Sequence, residues 1–314
     1  MIIASAPGKC ILLGEHAVVY GYPAISVAIN VRSFCTIQKI TEKKIHLNLP
    51  DFAFNQDFRD LDHLKGSIQT DFNQFSYALG EISSGHKLQI SNISIRIESD
   101  LWKGAGLGSS ASTSIAFLMA LCNFYQIDPS KIPDYAFLME KKVHKHPSGI
   151  DNDTCFWGGA IVFQNNIREK LMIPKFPILI TYSGSSHNTG KIVESIKKNK
   201  EKLKPAFNQI KGIVEAGIFS LKSQDLSRLG ELFNENHEIL STMGISTYEI
   251  EEIRSICLQN GAFGSKLSGA GAGGCVISLG ELVDLQKIMH ILQKKDYLCR
   301  IVYLDYDGGK VESE

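Results

Sequence analysis

Along residues 87–97 the apolar side chains Leu88, Ile90, Ile93, Ile95 and Ile97 fall close to the two-residue alternation of a strand. Along residues 111–125 the period changes. Ile115, Leu118 and Met119 recur at helical spacing, with Ala116 and Ala120 between them, the pattern of a buried helix. Read from its start, the chain gives a short strand over residues 2–6 ended by Pro7-Gly8, then strands over 24–29, 34–40 and 45–49. Residues 51–74 are polar, with Phe52, Phe54, Phe58 and Phe72 interspersed, and read as an insertion with some helix. An amphipathic helix over 132–143 leads, through a turn and a small segment that starts near Asp151, to a strand over 157–163.

The run 164–170 is polar and carries no apolar period, which sets the expected boundary between two domains, residues 1–166 and 167–314. Beyond it the pattern predicts a strand over 171–182, a polar loop over 183–190 and a Lys-rich helix through Lys204. Long helical stretches follow, marked by Ile210, Val214, Ile218 and Leu221 and then by Leu226, Leu229, Leu232, Phe233 and Leu240. A helix over 250–258, a glycine-rich stretch over 266–275, a strand over 276–279, a helix over 282–293 and a closing strand over 297–304 complete the reading, with the last ten residues as a loose tail. Strands set between helices in this way predict an α+β protein.

Composition narrows the function classes. The 314 residues are 44% hydrophobic and carry 33 Lys plus Arg against 33 Asp plus Glu, so a large core is expected and neither nucleic acid nor an anionic membrane is an expected partner. The seven cysteines are scattered without a C-x-x-C pair, which suggests reduced thiols in a cytoplasmic protein instead of a disulfide framework or a zinc site. The start of the chain lacks the basic and apolar regions of a signal peptide, and no window approaches the ~18 apolar residues a bilayer span requires.

The candidate chemistry begins at Lys103-Gly104-Ala105-Gly106-Leu107-Gly108-Ser109-Ser110-Ala111, between the strand pattern of 87–97 and the helix of 111–125. Glycine lets backbone approach a ligand closely, and a helix N-terminus offers unpaired N–H groups at the positive end of the macrodipole. The expectation is an anion site for a nucleotide phosphate, with Ser109 and Ser110 adding hydroxyls for capping, phosphate or Mg²⁺. A flexible turn with a serine N-cap accounts for the same residues. Gly106, Gly108 and Ala111 also fit a dinucleotide G-x-G-x-x-A, but its acid would be Asp128, which lies in the turn Ile127-Asp128-Pro129-Ser130 and not at the end of a strand. The Walker A pattern does not occur.

Four further stretches stand out. Residues 9–21 bring Lys9, Glu15 and His16 into a glycine-flanked bend crowded by apolar residues; a strand edge with a chance histidine is the bland alternative. Glu140 ends a helix, where the dipole disfavours an anion, so a bound cation would compensate it; a solvated helix residue is the alternative. Asp151 comes after the turn Pro147-Ser148-Gly149, and His144 and His146 are two apart, not at the i, i+4 spacing of a helical zinc pair. A second glycine cluster runs Lys266-Leu267-Ser268-Gly269-Ala270-Gly271-Ala272-Gly273-Gly274-Cys275.

In order and spacing, these stretches resemble the motifs of the GHMP kinase family, named for galactose, homoserine, mevalonate and phosphomevalonate kinases. Pro7-Gly8-Lys9 with Gly14-Glu15-His16-Ala17-Val18-Val19-Tyr20-Gly21 is similar to the first motif, 104–111 to the phosphate loop, and 147–152 with Trp157-Gly158-Gly159 to the catalytic-aspartate segment. Asn234-Glu235-Asn236-His237 with Leu240 and Gly244 is similar as well, and the match is tightest with the mevalonate-phosphorylating branch.

The resemblance implies a two-domain fold with nucleotide and substrate in the cleft between domains. It implies ATP and Mg²⁺ as cofactors, a small-molecule substrate of the mevalonate type, and a homodimer as one assembly open to the chain. It implies Asp151 as the group acting on the substrate hydroxyl, Lys9 beside it, residues 103–111 around the nucleotide, Ser110 and Glu140 as Mg²⁺ ligands, and Glu15, His16, Gly269 and Ala270 near the substrate. The chain departs from the family in Trp102-Lys103 where proline is usual, in Lys145-His146 before Pro147, and in Ser268 where threonine is frequent. A phosphomevalonate kinase would need added cations, for which Lys145, His146 and His187 are available.

Overall fold

The computed structural model describes residues 1–67, 72–143, 149–165, 167–186 and 189–313. The readings that rest on His144, Lys145, His146, Pro147, Ser148 and His187 lie outside the described residues. Strands β1 (Ile2–Leu13), β2 (Ala24–Lys39), β3 (Ile45–Leu49), β4 (Phe54–Phe58), β5 (Ile93–Ser99), β6 (Ala160–Gln164) and β7 (Ile167–Leu171) belong to one mixed sheet. Strands β8 (Ile178–Ser186), β9 (Gly264–Ser268), β10 (Gly273–Leu279) and β11 (Leu298–Val302) form a second, antiparallel sheet in the order β11-β8-β10-β9. Strand β12 (Lys310–Val311) then returns to the first sheet, where Ala4 pairs Val311 and Ser5 pairs Lys310. The larger sheet runs β12-β1-β2-β5-β3-β4, with β6 and β7 branching from β2; β3 and β5 pair in parallel.

Helices α1 (Leu61–Ser67), α2 (Asn73–His86), α3 (Ser109–Phe124), α4 (Ile132–Val143) and α5 (Ile150–Trp157) accompany the larger sheet. Helices α6 (Thr189–Lys198), α7 (Lys200–Ser223), α8 (Leu226–Thr242), α9 (Tyr248–Gln259) and α10 (Leu282–Gln293) accompany the smaller one. One core gathers Ile37, Leu47, Ile95 and Phe117; a second gathers Val214, Phe233, Ile277 and Leu292. Strand β1 feeds both: Ala4 and Ala6 point into the first core, Cys10, Leu12 and Leu13 into the second. The change of allegiance coincides with a register shift between Pro7 and Gly8, a bulge whose extra residues, Asn30 and Val31, lie on β2. On β1, Lys9 is the next residue.

This bulge corrects one expectation. Pro7-Gly8 does not end the first strand, because Pro7 stays paired with Arg32, Gly8 pairs with Ile29, and β1 continues to Leu13. Likewise the strands expected over 24–29 and 34–40 are one, β2, whose first part pairs β6 and whose second part pairs β5, so the polar residues at its middle fall where its partners change. The small segment expected from Asp151 is helix α5, with Asp151 in its first turn. Residues 305–313 are not a loose tail, since β12 pairs with β1 and the Arg32 guanidinium bonds Asp305 and, at 2.6 Å, the Gly308 carbonyl. The expected strand over 171–182 begins later, at Ile178.

Candidate active site

Lys9 is carried on β1 and is 3% exposed. Its backbone N–H donates to the Leu107 carbonyl at 2.8 Å, and its stem lies against Gly108, where a Cβ would come within 2.7 Å of the lysine Cγ. The φ of +74° at Gly108 suits glycine independently. The glycine loop and the buried lysine therefore fit only without a side chain at that position. The Lys9 ammonium ends 3.1 Å from Oδ1 of Asp151. Burial works against the ammonium, but the Asp151 carboxylate outweighs it and raises the Lys9 pKa above the ordinary lysine value.

Gly149, with φ +79°, opens α5, so Asp151 stands at a helix N-terminus where its negative charge is favoured. Glu140 comes from the last turn of α4. Its Oε2 accepts a 2.8 Å bond from the Asn152 amide, which also donates to the Ala136 carbonyl at 3.0 Å, and the Gly149 N–H bonds the same carboxyl. Burial first, then Asp151 and Asp153, push the Glu140 pKa up to about 8, against the pull of Lys9. Asp153 is also raised by burial, opposed by a 2.5 Å bond from Arg168. An acidic group held this far from its ordinary range beside a second carboxylate is suited to a cation. Among the described residues no three His, Cys, Asp or Glu side chains are arranged to hold a metal by themselves.

Residues 103–108 wind through positive φ at Gly104, Gly106 and Gly108 into α3. The N-cap of α3 is Gly108, with no side-chain cap, so the serine-cap alternative is not realised and Ser109 and Ser110 form the first helical turn. The second glycine segment, Gly269 to Ala272, joins β9 to β10 directly beside it. A Cβ on Gly106 would stand 3.2 Å from the Ser268 carbonyl, and one on Gly274 would stand 3.3 Å from the Ala105 carbonyl. Ala111 is buried on the core side of α3.

Glu15 and His16 lie on the other side of this contact. Glu15 is 1% exposed and forms an ion pair with Lys266, while its second oxygen is 3.5 Å from the Asn236 amide. His16 has φ +61°, and burial lowers its pKa to about 4, so its neutral ring donates from Nε2 to the Ala270 carbonyl at 3.1 Å. Ser268 completes the seam: its Oγ accepts from the Ile11 N–H and donates to the Ile11 carbonyl, both at 3.1 Å. Sequence reasoning assigns no role of their own to Lys266, Asn152 and Asn236. Lys266 sits among Leu267 and the glycines without any periodic signal of burial, and Asn152 stands next to Asp151 in a segment too short to show a helical period.

A glycine-lined helix N-terminus beside a carboxylate–ammonium pair is the equipment of a kinase that acts on a small hydroxyl compound. Comparison with known proteins agrees. The family descriptions "GHMP kinases N terminal domain" and "GHMP kinases C terminal" match residues 73–159 and 218–298. The mevalonate kinase of Pyrococcus furiosus is 33% identical over 296 residues, 88% of this chain and 89% of its own length. The solved structure of Methanococcus jannaschii mevalonate kinase superposes with a TM-score of 0.86 at 30% identity, covering 96% of this chain and 98% of that one. The structure of L. major mevalonate kinase in complex with R-mevalonate superposes with a TM-score of 0.80 at 25% identity, covering 97% and 96%. The chain belongs to the GHMP kinase family.

Proposed function

We propose that this protein transfers the γ-phosphoryl group of ATP to a hydroxyl of mevalonate, giving 5-phosphomevalonate. The observation that carries the reading is the 33% identity, over 88% of the chain, to a protein named mevalonate kinase. In this reading the hydroxyl oxygen forms the new bond to the γ-phosphorus, and the bond to the β–γ bridging oxygen breaks with its electron pair leaving on ADP. The hydroxyl proton is accepted or guided by Asp151. Lys9 places its ammonium beside that carboxylate and orients it, a role that the 3.1 Å contact supports.

The loop of residues 103–111 and the N-terminus of α3 hold the phosphates. Ser110 and Glu140 would hold Mg²⁺, which supplies charge neutralisation for the phosphate oxygens. Mevalonate is assigned to the stretch bounded by Glu15, His16, Gly269 and Ala270, where the His16–Ala270 bond joins two of the segments. The division into residues 1–166 and 167–314 belongs to the same proposal, supported by the two sheets and two cores; β7 and β12 hydrogen-bond into the larger sheet. The seven free cysteines support a cytoplasmic setting.

Release of ADP from ATP by the purified protein, measured across a panel of small alcohols with and without Mg²⁺, tests the assignment. Turnover with mevalonate and a phosphorus resonance of 5-phosphomevalonate are expected. ADP release with another alcohol and none with mevalonate would overturn it. Sedimentation of the same preparation tests the homodimer.

A further inference from the structure

The bend that follows β1 is strained. The Ala17 N–H donates to the Glu15 carbonyl at 2.7 Å, and His16 between them has φ +61° and ψ −46°. Bond and angles together make a γ-turn of the positive-φ form, the rarer and more strained of the two forms. A residue with a Cβ keeps such a conformation only where its surroundings hold it there. Two grips do so. The Glu15 carboxylate pairs with the Lys266 ammonium, and the Asn236 amide approaches its second oxygen at 3.5 Å. The His16 ring donates from Nε2 to the Ala270 carbonyl at 3.1 Å. Lys266 lies on β9 and Ala270 on the connection from β9 to β10, so one segment of the smaller sheet grips two consecutive residues of the turn. Lys266 is itself fixed, for its ammonium also donates to the Leu267 carbonyl at 2.6 Å.

We infer that Lys266 is a positioning residue for the acceptor: through Glu15 it holds His16 in the γ-turn and so fixes the imidazole beside Ala270. The inference rests on the proposed mevalonate site and adds a residue outside that site, with the backbone conformation through which it acts. Lys266 is 0% exposed, so it works through Glu15 and not by contact with a substrate. An ion pair that served only to neutralise Glu15 would place no demand on the backbone of the next residue.

The test uses the wild type and the double variant Glu15→Gln/Lys266→Met, which removes both charges together and leaves neither buried alone. His16→Gly and His16→Ala are made in each. Glycine enters positive φ freely and alanine does not, so in the wild-type background His16→Gly is expected to melt above His16→Ala. That is the reverse of the usual order, in which glycine loses more entropy on folding. In the double variant the turn relaxes, and alanine should melt above glycine. The double variant without a change at His16 should show a KM for mevalonate raised about tenfold or more, with its affinity for ADP retained.

Alanine above glycine in the wild-type background overturns the inference, because His16 is then not strained. Glycine above alanine in both backgrounds overturns it too: the turn then stands without Lys266, and any rise in KM comes from Glu15 alone. An unchanged KM, or a double variant that does not fold, marks the pair as structural only. The melting order is read without substrate. A wild type that does not turn over mevalonate therefore overturns the proposed function and the acceptor role, while the hold of Lys266 on the turn is still decided.

Discussion

Glu15 and Lys266 form an ion pair with side chains 1% and 0% exposed, and it ties the segment after β1 to strand β9 of the other sheet. Both charges have been taken out of water, so each depends on the other. Burial raises the Glu15 pKa and lowers that of Lys266, and each partner opposes the shift of the other. Glu15→Gln and Lys266→Met should each destabilise the fold by about 3–5 kcal/mol, because each leaves one buried charge alone. The double variant should lose clearly less than the sum. Urea unfolding of the three proteins measures this, and additive losses would show that the two side chains do not act on each other.

The Lys9–Asp151 pair makes a kinetic prediction. Asp151→Asn should lower kcat by about 10²- to 10⁴-fold, the usual contribution of a positioned acid–base group, with ATP binding nearly unchanged. Lys9→Met should also lower kcat, and the double variant should lose less than the product of the two effects, since the residues work as one unit. Steady-state rates with nucleotide titrations decide it. Wild-type turnover by Asp151→Asn would remove that residue from the chemistry.

Much of this arrangement is legible in the sequence because it is local. The helices over 132–143 and 282–293 can be read at the boundaries observed, since apolar period and termination signals sit in the same short windows. The glycine loop reads as the start of a helix from its composition alone, and α3 does begin there. The features that escape such reading are set by distant parts of the chain. Pro7-Gly8 looks like a strand end until β2 supplies a partner on both sides of the bulge. Residues 310–311 look like a tail until Ala4 and Ser5 are placed beside them. Lys266 carries no local sign of burial, because its counter-charge is Glu15, 251 residues away.

The buried histidines and Glu140 should give stability opposite dependences on pH. Burial lowers the pKa of His16 and His237 to about 4, so between about pH 6.5 and pH 4 the unfolded chain binds protons that the folded protein refuses. That part of the stability is present above pH 6.5 and is lost as the pH falls toward 4. Glu140, raised to about 8 chiefly by burial, has the reverse sign: its contribution declines as the pH rises from about 4.5 to 8. In metal-free protein, His237→Gln should flatten the acid-side loss, and Glu140→Gln should flatten the decline toward pH 8. Each difference amounts to about 1.4 kcal/mol per pH unit across its window. Denaturant midpoints at intervals of pH give both curves, and parallel curves for variant and wild type would contradict the assignments.

Strand β9 also depends on the absence of a side chain. A Cβ on Gly264 would stand 1.8 Å from the Gly230 carbonyl of α8. Gly264→Ala should therefore cost about 1–3 kcal/mol or more, because the contact is with backbone and cannot yield by a rotamer change. A Tm lower by several degrees is expected in thermal denaturation. An unchanged Tm would mean that α8 shifts away from the sheet at no cost.

The pairing of Lys310–Val311 with Ala4 and Ser5 gives the strand that bears Lys9 a neighbour on each side. During synthesis that second neighbour leaves the ribosome after every other strand and helix of the two sheets. Until it arrives, Ala4 and Ser5 lie on an open sheet edge, able to pair with another nascent chain. Arg32 likewise waits for Asp305 and Gly308. Strand β1 is thus completed only once β12 has emerged, so the strand that bears Lys9 gains its second neighbour late in synthesis.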